Sequence, residues 1–320
     1  MSEQYYPPLS YKVAPEDEGM KVGTVLERRL GVSRKLMSRL KLTEQGIRLN
    51  GVRVYTSVKV KVGDIVTCAM EQESSDDILP EPMTLDILYE DEHLLIVNKA
   101  AGIIVHPTHG HYTGTLANGV VHYWLERGVR YRFRPVHRLD QDTSGVVAVA
   151  KNPYVHQQLS LQMQRDEIDK RYCAFVEGAP LPAVGTIDAP IDRDPEQPHV
   201  RIVTPQGYPS VTHYETVRTY AAGASLVRLR LETGRTHQIR VHMKHIGCPL
   251  LGDPMYGGLG TEADVRLAAL GAELGRQALH AEQLAFRHPW TGEPMTFAAP
   301  LPEDLRQLER RLEHPGETIS

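Results

Sequence analysis

Arg134-Pro-Val-His-Arg-Leu-Asp140-Gln-Asp-Thr-Ser-Gly145 is a polar, glycine-closed segment that precedes the β-branched run Val146-Val-Ala-Val-Ala-Lys151. A short β-branched run of this kind is typical of a strand buried in a sheet, and Gly145 is typical of a turn. The sequence therefore predicts a strand, a turn and a second strand, with Asp140 held in the turn. A carboxylate in such a turn has two interpretations. It serves chemistry, or it only hydrogen-bonds neighbouring backbone groups.

A second polar segment follows further along the chain. Leu231-Glu-Thr-Gly-Arg-Thr-His-Gln-Ile-Arg-Val-His-Met-Lys244 comes after the alternating strand pattern of residues 225–232. We predict a helix from Thr236 to Ile246, with Thr236 as its N-cap and Gly247 after its end. His237, Arg240 and Lys244 then share one cationic face, which binds a carboxylate or a phosphate backbone, or is simply solvated.

These segments carry a resemblance to the RluA family of RNA pseudouridine synthases. The resemblance covers about residues 85–305, in unbroken order. Its blocks are His137-Arg-Leu-Asp140 with Thr143-Ser-Gly145, Lys170-Arg-Tyr-Cys-Ala-Phe-Val-Glu-Gly178, Gly234-Arg-Thr-His-Gln-Ile-Arg240, Pro249-Leu-Leu-Gly-Asp-Pro-Met-Tyr-Gly257, Leu279-His-Ala281 and Pro300-Leu-Pro302.

The resemblance implies an isomerisation of uridine in RNA that consumes nothing and needs no cofactor and no metal. Asp140 matches the catalytic aspartate, which attacks C1′ of the ribose or abstracts a ribose proton. Arg240 matches the residue that pairs with this carboxylate and favours its ionised form. Tyr172 matches the tyrosine that packs against the base and positions it or assists removal of the C5 proton. From its own strand pattern, Tyr172 is equally a core residue.

The target nucleotide must leave the base stack, because its glycosidic bond is inaccessible in stacked RNA. Arg138 resembles the family position that stabilises the rearranged RNA, and its alternative role is a salt bridge to Asp142. We also expect His137, Arg235 and His237 to contact RNA.

The amino-terminal part of the chain is strongly basic. Residues 21–62 contain eleven Lys or Arg and two Glu, a balance of +9, whereas the whole chain carries −4. Such a block is typical of polyanion binding. Ser33 is a predicted N-cap for a helix whose outer face carries the expected RNA-binding residues Arg34, Lys35, Arg39 and Lys41.

The Asn50-Gly51 turn follows this helix, and the region resembles the alpha-L RNA-binding module of ribosomal protein S4. Lys21-Val-Gly-Thr24 departs from the Arg-Leu-Asp type opening that is frequent in that module. The alternative interpretation is a solvated basic helix pair with no ligand.

A run of nine acidic residues without Lys or Arg occupies residues 71–92, with Pro80 and Pro82 near its centre. We interpret it as a solvated, semi-extended boundary that lets the small module reorient. The predicted organisation is an amino-terminal arm (1–15, partly ordered at most), an S4-like module (16–70), an acidic linker (71–84), a catalytic domain (85–305) and a carboxy-terminal tail (306–320).

Composition favours a cytoplasmic enzyme. No apolar run is long enough to span a bilayer, and the three cysteines, Cys68, Cys173 and Cys248, suit neither a disulfide framework nor a zinc finger. His106, His109 and His111 invite a zinc hypothesis, but no cysteine or carboxylate stands at ligand spacing, and we expect loop histidines instead. Asp140 and Asp142 as a metal-binding nuclease pair are the rival enzyme hypothesis.

The predicted fold class is α+β. A mixed, mainly antiparallel bent sheet with flanking helices forms the catalytic domain, and a small α/β module binds RNA. Strands are expected at 94–98, 146–151, 172–177, 211–217 and 225–232. Helices are expected at 115–126, 153–164, 236–246, 262–275 and 303–313. The expected partner is RNA, with ribosomal RNA favoured over transfer RNA, and the expected state is a monomer. A binding-only ribosome assembly factor is the third hypothesis.

Overall fold

The computed structural model describes residues 5–258 and 265–314. Within these ranges the strands are β1 Leu9–Lys12, β2 Arg48–Leu49, β3 Val52–Arg53, β4 Ile65–Cys68, β5 Asp86–Glu90, β6 Leu94–Lys99, β7 Arg134–Pro135, β8 Ser144–Ala150, β9 Asp169–Glu177, β10 Val184–Asp188, β11 Ile191–Arg193, β12 Arg201–Val203, β13 Val211–Tyr220, β14 Ala224–Leu231, β15 Leu279–Arg287 and β16 Pro294–Ala298. The helices are α1 Val22–Arg28, α2 Arg34–Leu40, α3 Leu116–Glu126, α4 Pro153–Gln164, α5 Gln238–His245, α6 Val265–Leu274 and α7 Glu303–Glu313.

A large sheet forms the body of the protein. Its main path is β10-β13-β14-β9-β15-β8-β6-β5, with β16 added to β15 and β7 added to β8. Among the described strands, the pairing of β15 with β8 is parallel and the other pairings are antiparallel. The predicted α+β class with a mixed, mainly antiparallel sheet is confirmed.

Both faces of this sheet are covered, which explains why β8 is apolar throughout. Val146 and Ala148 contribute to one hydrophobic cluster, while Val147 and Val149 contribute to the other. Helix α4 packs on the first side and α3 on the second. A strand that alternates between two buried faces needs apolar residues at every position.

The basic region folds as a four-stranded sheet, β1-β4-β2-β3, with α1 and α2 packed against it. Ser33 caps α2 as predicted, because its hydroxyl accepts a hydrogen bond from Leu36 N at 3.2 Å. The predicted turn at Asn50-Gly51 is confirmed, since both residues have positive φ and join β2 to β3.

The expectation of a loosely ordered arm is wrong for residues 9–12. These residues form β1, which pairs antiparallel with β4 along its whole length. The alternation of Leu9 and Tyr11 with polar residues is itself a strand pattern, and Leu9 is buried in the shared core.

The expectation that the small module reorients freely is also wrong. The core of the module is continuous with the core of the body, where Val25 and Leu26 of α1 belong to the same cluster as Leu159 of α4. Gln157 of α4 accepts a hydrogen bond from Ser33 N at 2.9 Å and donates one to Gly31 O at 2.7 Å. Burial of apolar side chains on both sides fixes the two parts together.

The acidic segment lies along the body instead of extending into solvent. Glu73 forms ion pairs with Arg39 of α2 and with Arg132 and Arg134 of the body. The Ser75 hydroxyl accepts a hydrogen bond from Phe133 N at 2.8 Å. The negative charge of Glu73 therefore neutralises arginines of both the module and the body.

The predicted elements of the body are largely confirmed. The five predicted strands correspond to β6, β8, β9, β13 and β14, and the helices correspond to α3, α4, α5, α6 and α7. The predicted start of α6 at Glu262 lies outside the described residues. Residues 306–313, which we assigned to a tail, belong to α7, whose Leu305, Leu308 and Leu312 are buried against the body. No helix of the described chain has both the length and the apolar character that a membrane crossing requires.

Candidate active site

The turn between β7 and β8 carries Asp140 into a small surface recess. The carboxylate is about one quarter exposed, and its partner is Arg240, whose Nη1 lies 3.3 Å from Asp140 Oδ2. Within the described residues, the carboxylate accepts no backbone hydrogen bond. The interpretation of Asp140 as a simple turn cap is therefore not supported, since a capping carboxylate accepts a backbone N–H.

Arg240 is buried and joins two carboxylates from separate parts of the chain. Its Nε and Nη2 donate to Asp253 at 2.6 and 2.8 Å, while Nη1 faces Asp140. Burial alone would lower the pKa of Arg240, but the hydrogen bonds and charge of Asp253, with the charge of Asp140, raise it above the ordinary value. Burial likewise acts to raise the pKa of Asp253, and Arg240 outweighs it, so this carboxylate stays ionised. Asp253 thus holds the guanidinium in place, and the remaining nitrogen, Nη1, faces Asp140.

Tyr172 on β9 lies beside Asp140 and is almost fully buried. Its strand alternation with Ala174 places it on the inner face, as its pattern predicted. Burial, with the nearby charge of Asp140, raises the pKa of the phenol above its usual value. The hydroxyl is therefore protonated at neutral pH and is able to donate a hydrogen bond. No residue of the described chain hydrogen-bonds to it.

The recess that contains these groups has a volume of about 70 Å³. That is well below the few hundred Å³ of pockets that enclose a whole drug-sized ligand. Arg138 and Arg235 line it and are exposed, so they lie at its mouth. Arg138 makes no ion pair with Asp142, and its guanidinium has no partner among the described residues. A cationic mouth over a partly buried carboxylate suits a polyanion that inserts one group.

The segment from Gly234 to Gln238 departs from the predicted helix start. Thr236 does not cap α5; the N-cap is His237, in the left-handed region at φ 58°, without a side-chain cap. The buried Gln238 fixes the segment instead. Its Oε1 accepts from Arg235 N at 2.9 Å and its Nε2 donates to Val211 O at 3.0 Å. A strained non-glycine residue held by a buried amide is typical of functional sites.

His237 lines the recess, and its Nδ1 lies 2.9 Å from the Tyr256 hydroxyl. Burial lowers the pKa of His237, although the charge of Asp140 opposes this effect. The three residues of the predicted cationic face therefore differ in charge and in exposure. His237 is predominantly neutral, Arg240 is buried between two carboxylates, and Lys244 is exposed.

His137 points into the protein. Its Nε2 accepts a weak hydrogen bond from Ala148 N at 3.3 Å, and its Nδ1 is buried without a partner in the described structure. Burial lowers the pKa of His137 to about 4, so the ring is neutral. His137 therefore lies inside the protein, whereas Arg138 lies at the mouth of the recess.

The residues expected to bind RNA on α2 lie away from the recess. Arg34 is largely exposed and lies 3.5 Å from Glu27, while Lys35 and Lys41 are exposed. Arg39 contacts Glu73 and so takes part in the connection between module and body.

Four side chains that sequence reasoning missed hold the backbone and hydroxyls of the Asp140 turn. Lys99 Nζ donates to Gln141 O at 2.8 Å, and Arg276 Nη1 donates to Asp142 O at 3.0 Å. Gln277 Nε2 donates to Thr143 Oγ1 at 3.2 Å. The Ser144 hydroxyl contacts His280 Nδ1 at 2.9 Å. His280 Nε2 faces the Ala299 carbonyl at 3.1 Å. This carbonyl only accepts, so Nε2 carries the proton and the Ser144 hydroxyl donates to Nδ1.

Lys99 is fully buried and also donates to the carbonyls of Ala100 and Ile103, each at 2.8 Å. Burial lowers the pKa of this amine to about 7, whereas the charges of Asp142 and Asp140 act in the opposite direction. Gly145 completes the support. A Cβ there would lie 2.2 Å from Ala281 O, so a larger residue would separate β8 from β15.

Part of this support had a signal in the sequence. Asp253, Tyr256 and His280 fall within the blocks of family resemblance, which gave them no role. Lys99 and Arg276 had no signal, because each is a single cation whose partners come from distant turns. Within the described residues, no three His, Cys, Asp or Glu side chains come together in a way that would hold a metal ion.

The chain is similar to several known proteins that share one description. The family model described as RNA pseudouridylate synthase matches residues 93–245. The uncharacterized RNA pseudouridine synthase YjbO of Bacillus subtilis is 42% identical over 286 residues, which cover 89% of this chain and 97% of that protein. The ribosomal large subunit pseudouridine synthase D of Escherichia coli K12 is 41% identical over 278 residues, covering 85% and 84%.

A solved structure, human RNA pseudouridylate synthase domain containing 4, superposes with a TM-score of 0.57 at 25% identity. It covers 71% of this chain and 92% of the human chain.

Proposed function

This chain belongs to the family of RNA pseudouridylate synthases, and we propose that it isomerises uridines of large-subunit ribosomal RNA with Asp140 as the catalytic carboxylate. Its activity is that of an RNA pseudouridine synthase, an isomerase. Similarity to several proteins named ribosomal large subunit pseudouridine synthase D supports this choice of RNA.

The observation that carries the proposal is the pair formed by Asp140 and Arg240 beside Tyr172 in one recess. The reaction breaks the bond from N1 to C1′, turns the uracil and joins C5 to C1′. C5 loses a proton and N1 gains one, so the overall charge is unchanged. An ionised Asp140 either attacks C1′ or removes a ribose proton, and Arg240 favours the ionised form in both routes.

We assign Tyr172, which lies beside Asp140, to packing against the uracil ring. Because its hydroxyl is protonated, we assign it to orienting the base by donating a hydrogen bond, in preference to acting as a phenolate base. The target nucleotide leaves the base stack to reach the recess, and the exposed guanidinium of Arg138 stacks on or hydrogen-bonds to the rearranged RNA.

We further propose that the small module binds RNA as an S4-like domain through the exposed Arg34, Lys35 and Lys41. Arg235 and His237 contact the strand near the target. Cytoplasmic location and a monomeric state are predictions of the same proposal. Transfer RNA as substrate is the second candidate, and the sequence blocks common to the family do not separate it from ribosomal RNA.

The decisive experiment maps pseudouridines across total RNA from cells with and without this gene. Loss of one or more sites in large-subunit ribosomal RNA is expected, and restoration by the wild-type gene completes the assignment. Sites lost only from transfer RNA would contradict the choice of substrate.

Asp140→Asn tests the chemistry, because it removes the charge while keeping the size of the side chain. Release of tritium from [5-³H]uridine-labelled large-subunit transcript should be abolished, and RNA affinity in filter binding should be nearly unchanged. A variant that still turns over uridine would show that another group performs the reaction. A wild-type protein that binds the transcript without releasing tritium would favour an assembly factor.

A further inference from the structure

A groove lies directly behind the active-site recess. It has a volume of about 450 Å³, within the range of small-ligand sites. Helix α5 forms one wall and the hairpin of β11 and β12 forms the other, with Met255 and Tyr256 at the base. None of its lining residues has a role in the reaction described above.

The side chain of Tyr256 separates this groove from the recess. It is buried, and its hydroxyl accepts a hydrogen bond from Arg201 N at 2.8 Å on the groove side. On the other side, the hydroxyl contacts His237 Nδ1 at 2.9 Å, and the ring centroid lies 5.0 Å from the guanidinium carbon of Arg240. Tyr256 therefore lines the groove and contacts His237 and Arg240, which line the recess.

The groove is cationic. Arg201, Lys244 and His245 line it, against the single carboxylate of Asp194. That carboxylate is engaged in its own turn, since Asp194 Oδ1 accepts from Glu196 N at 2.9 Å.

The two permanent cations of the groove, Arg201 and Lys244, are not neutralised. The guanidinium of Arg201 donates to the carbonyls of Pro198 and Val200, and Lys244 Nζ lies 5.8 Å from the Tyr256 ring centroid. Within the described residues, neither cation forms an ion pair with a carboxylate. Two such cations beside a groove favour a phosphate group.

We propose that this groove binds the sugar and phosphate of the nucleotide adjacent to the target uridine. This inference rests on the proposed function and names a further part of its substrate site. The recess itself is too small for more than part of one nucleotide, so the flanking strand must lie outside it. Arg138 and Arg235 line the mouth of the recess, and Lys244 and Arg201 line the groove on the other side of Tyr256. Val203 and Val241 provide an apolar wall for the ribose.

The test uses the double variant R201A/K244A with tritium-labelled large-subunit ribosomal RNA transcript. KM should rise about tenfold with kcat unchanged, because phosphate contacts position RNA without entering the chemistry. The salt dependence of log(kcat/KM) should become less steep by about 1.4, or 0.7 for each lost contact to a single strand. The matched control is R218A/R228A, which removes the same charge from exposed positions of β13 and β14 and should leave both quantities unchanged.

Location is tested by phosphate ethylation of the transcript. Ethylation next to the target uridine should impair modification by the wild-type protein and add no further defect in R201A/K244A. If R201A/K244A has a reduced melting temperature, K244A and K244E replace it, because Lys244 is exposed and contributes little to the core.

An unchanged KM and salt slope, or a loss confined to kcat, would overturn the proposed subsite. A wild-type protein that releases no tritium from any RNA would instead overturn the proposed function.

Discussion

Arg240 is the residue on which the electrostatics of the site depend. It holds two carboxylates together, and the tighter contacts are to Asp253, which the reaction does not require. Asp253 therefore fixes the direction of the guanidinium, and Arg240 in turn faces Asp140. Substitution of Arg240 alone would combine a structural effect with a catalytic effect, because it leaves a buried carboxylate unpaired.

Comparison of R240M with R240M/D253N separates the two effects. R240M alone should lose about 3–5 kcal/mol of unfolding free energy, and the double variant should recover most of this loss. Both should lose turnover by about 10²–10³-fold, as expected when one charged group that stabilises the reacting centre is removed. Urea unfolding and tritium release measure the two quantities.

R240K, which keeps the positive charge, gives a separate readout. It should retain more turnover than R240M/D253N, because a cation still faces the reacting carboxylate. Equal turnover in R240K and R240M/D253N would refute the pairing as a catalytic contact.

His137 should contribute a pH-dependent term to stability. Burial lowers its pKa to about 4, whereas the unfolded chain has a value of about 6.5. Between these values the unfolded state binds a proton that the folded state does not, so stability falls as pH decreases from about 6.5 to 4. His137→Gln should reduce this loss, by about 2 kcal/mol at pH 5 relative to pH 7.5. Urea unfolding at both pH values measures the free energy of unfolding. If His137→Gln loses as much stability between pH 7.5 and pH 5 as the exposed control His199→Gln, the assignment is contradicted.

At the level of the element, the turn that follows β7 is positioned by contacts from several parts of the chain. Lys99 comes from the end of β6, while Arg276 precedes β15 and holds Asp142 O. Arg276 also forms two hydrogen bonds to Asp304 of α7, at 2.6 and 3.0 Å. The carboxy-terminal helix is thereby connected to the active-site turn through one buried guanidinium.

Arg276→Lys keeps the charge but removes the planar group that reaches both the turn and α7. We expect kcat to fall about tenfold with KM nearly unchanged, because a small displacement of the turn misplaces the carboxylate while RNA binding is intact. Initial rates of tritium release measure this. Arg306→Ala, on the exposed side of α7, should behave like the wild type. Equal defects in the two variants would mean that α7 acts only on overall stability.

At the level of the whole molecule, the basic module and the catalytic body form one continuous core. The acidic segment between them contributes through Glu73, which contacts Arg39 on one side and Arg132 and Arg134 on the other. The module therefore presents its cationic surface at a fixed position relative to the recess. A long RNA contacts both surfaces at once only if its shape matches this spacing.

R34A/K35A/K41A should weaken binding to large-subunit transcript and make the salt dependence of log Kd less steep by about 0.7–0.9 for each lost phosphate contact. The value of kcat should be unchanged, because none of these side chains lines the recess that contains Asp140. Filter binding between about 50 and 200 mM salt gives the slope. R39A is the informative control, since Arg39 contacts Glu73 and should affect stability more than affinity. An unchanged salt slope in the triple variant would exclude this surface as an RNA contact.

Much of this protein follows from local patterns. The apolar runs of β6 and β8, the alternation of β14, the Ser33 cap, the Asn50-Gly51 turn and the charge of the module are short-range properties. The expected free arm and reorienting linker were wrong for the same reason. Local composition does not report which surface of a distant element will cover a segment, and here Leu9 and Glu73 found partners far along the chain.

The sequence by itself determined several elements of the body and the family, and it selected Asp140, Tyr172 and Arg240 as candidate site residues, because these depend on residue types at short spacing. Only the tertiary structure decided that Asp253 directs Arg240, that Lys99 and Arg276 hold the turn, and that a cationic groove lies beside Tyr256. These hydrogen bonds of Arg240, Lys99 and Arg276 join residues separated by 13 to 134 positions. Their formation depends on how buried charges find partners when the core closes, which no local pattern encodes.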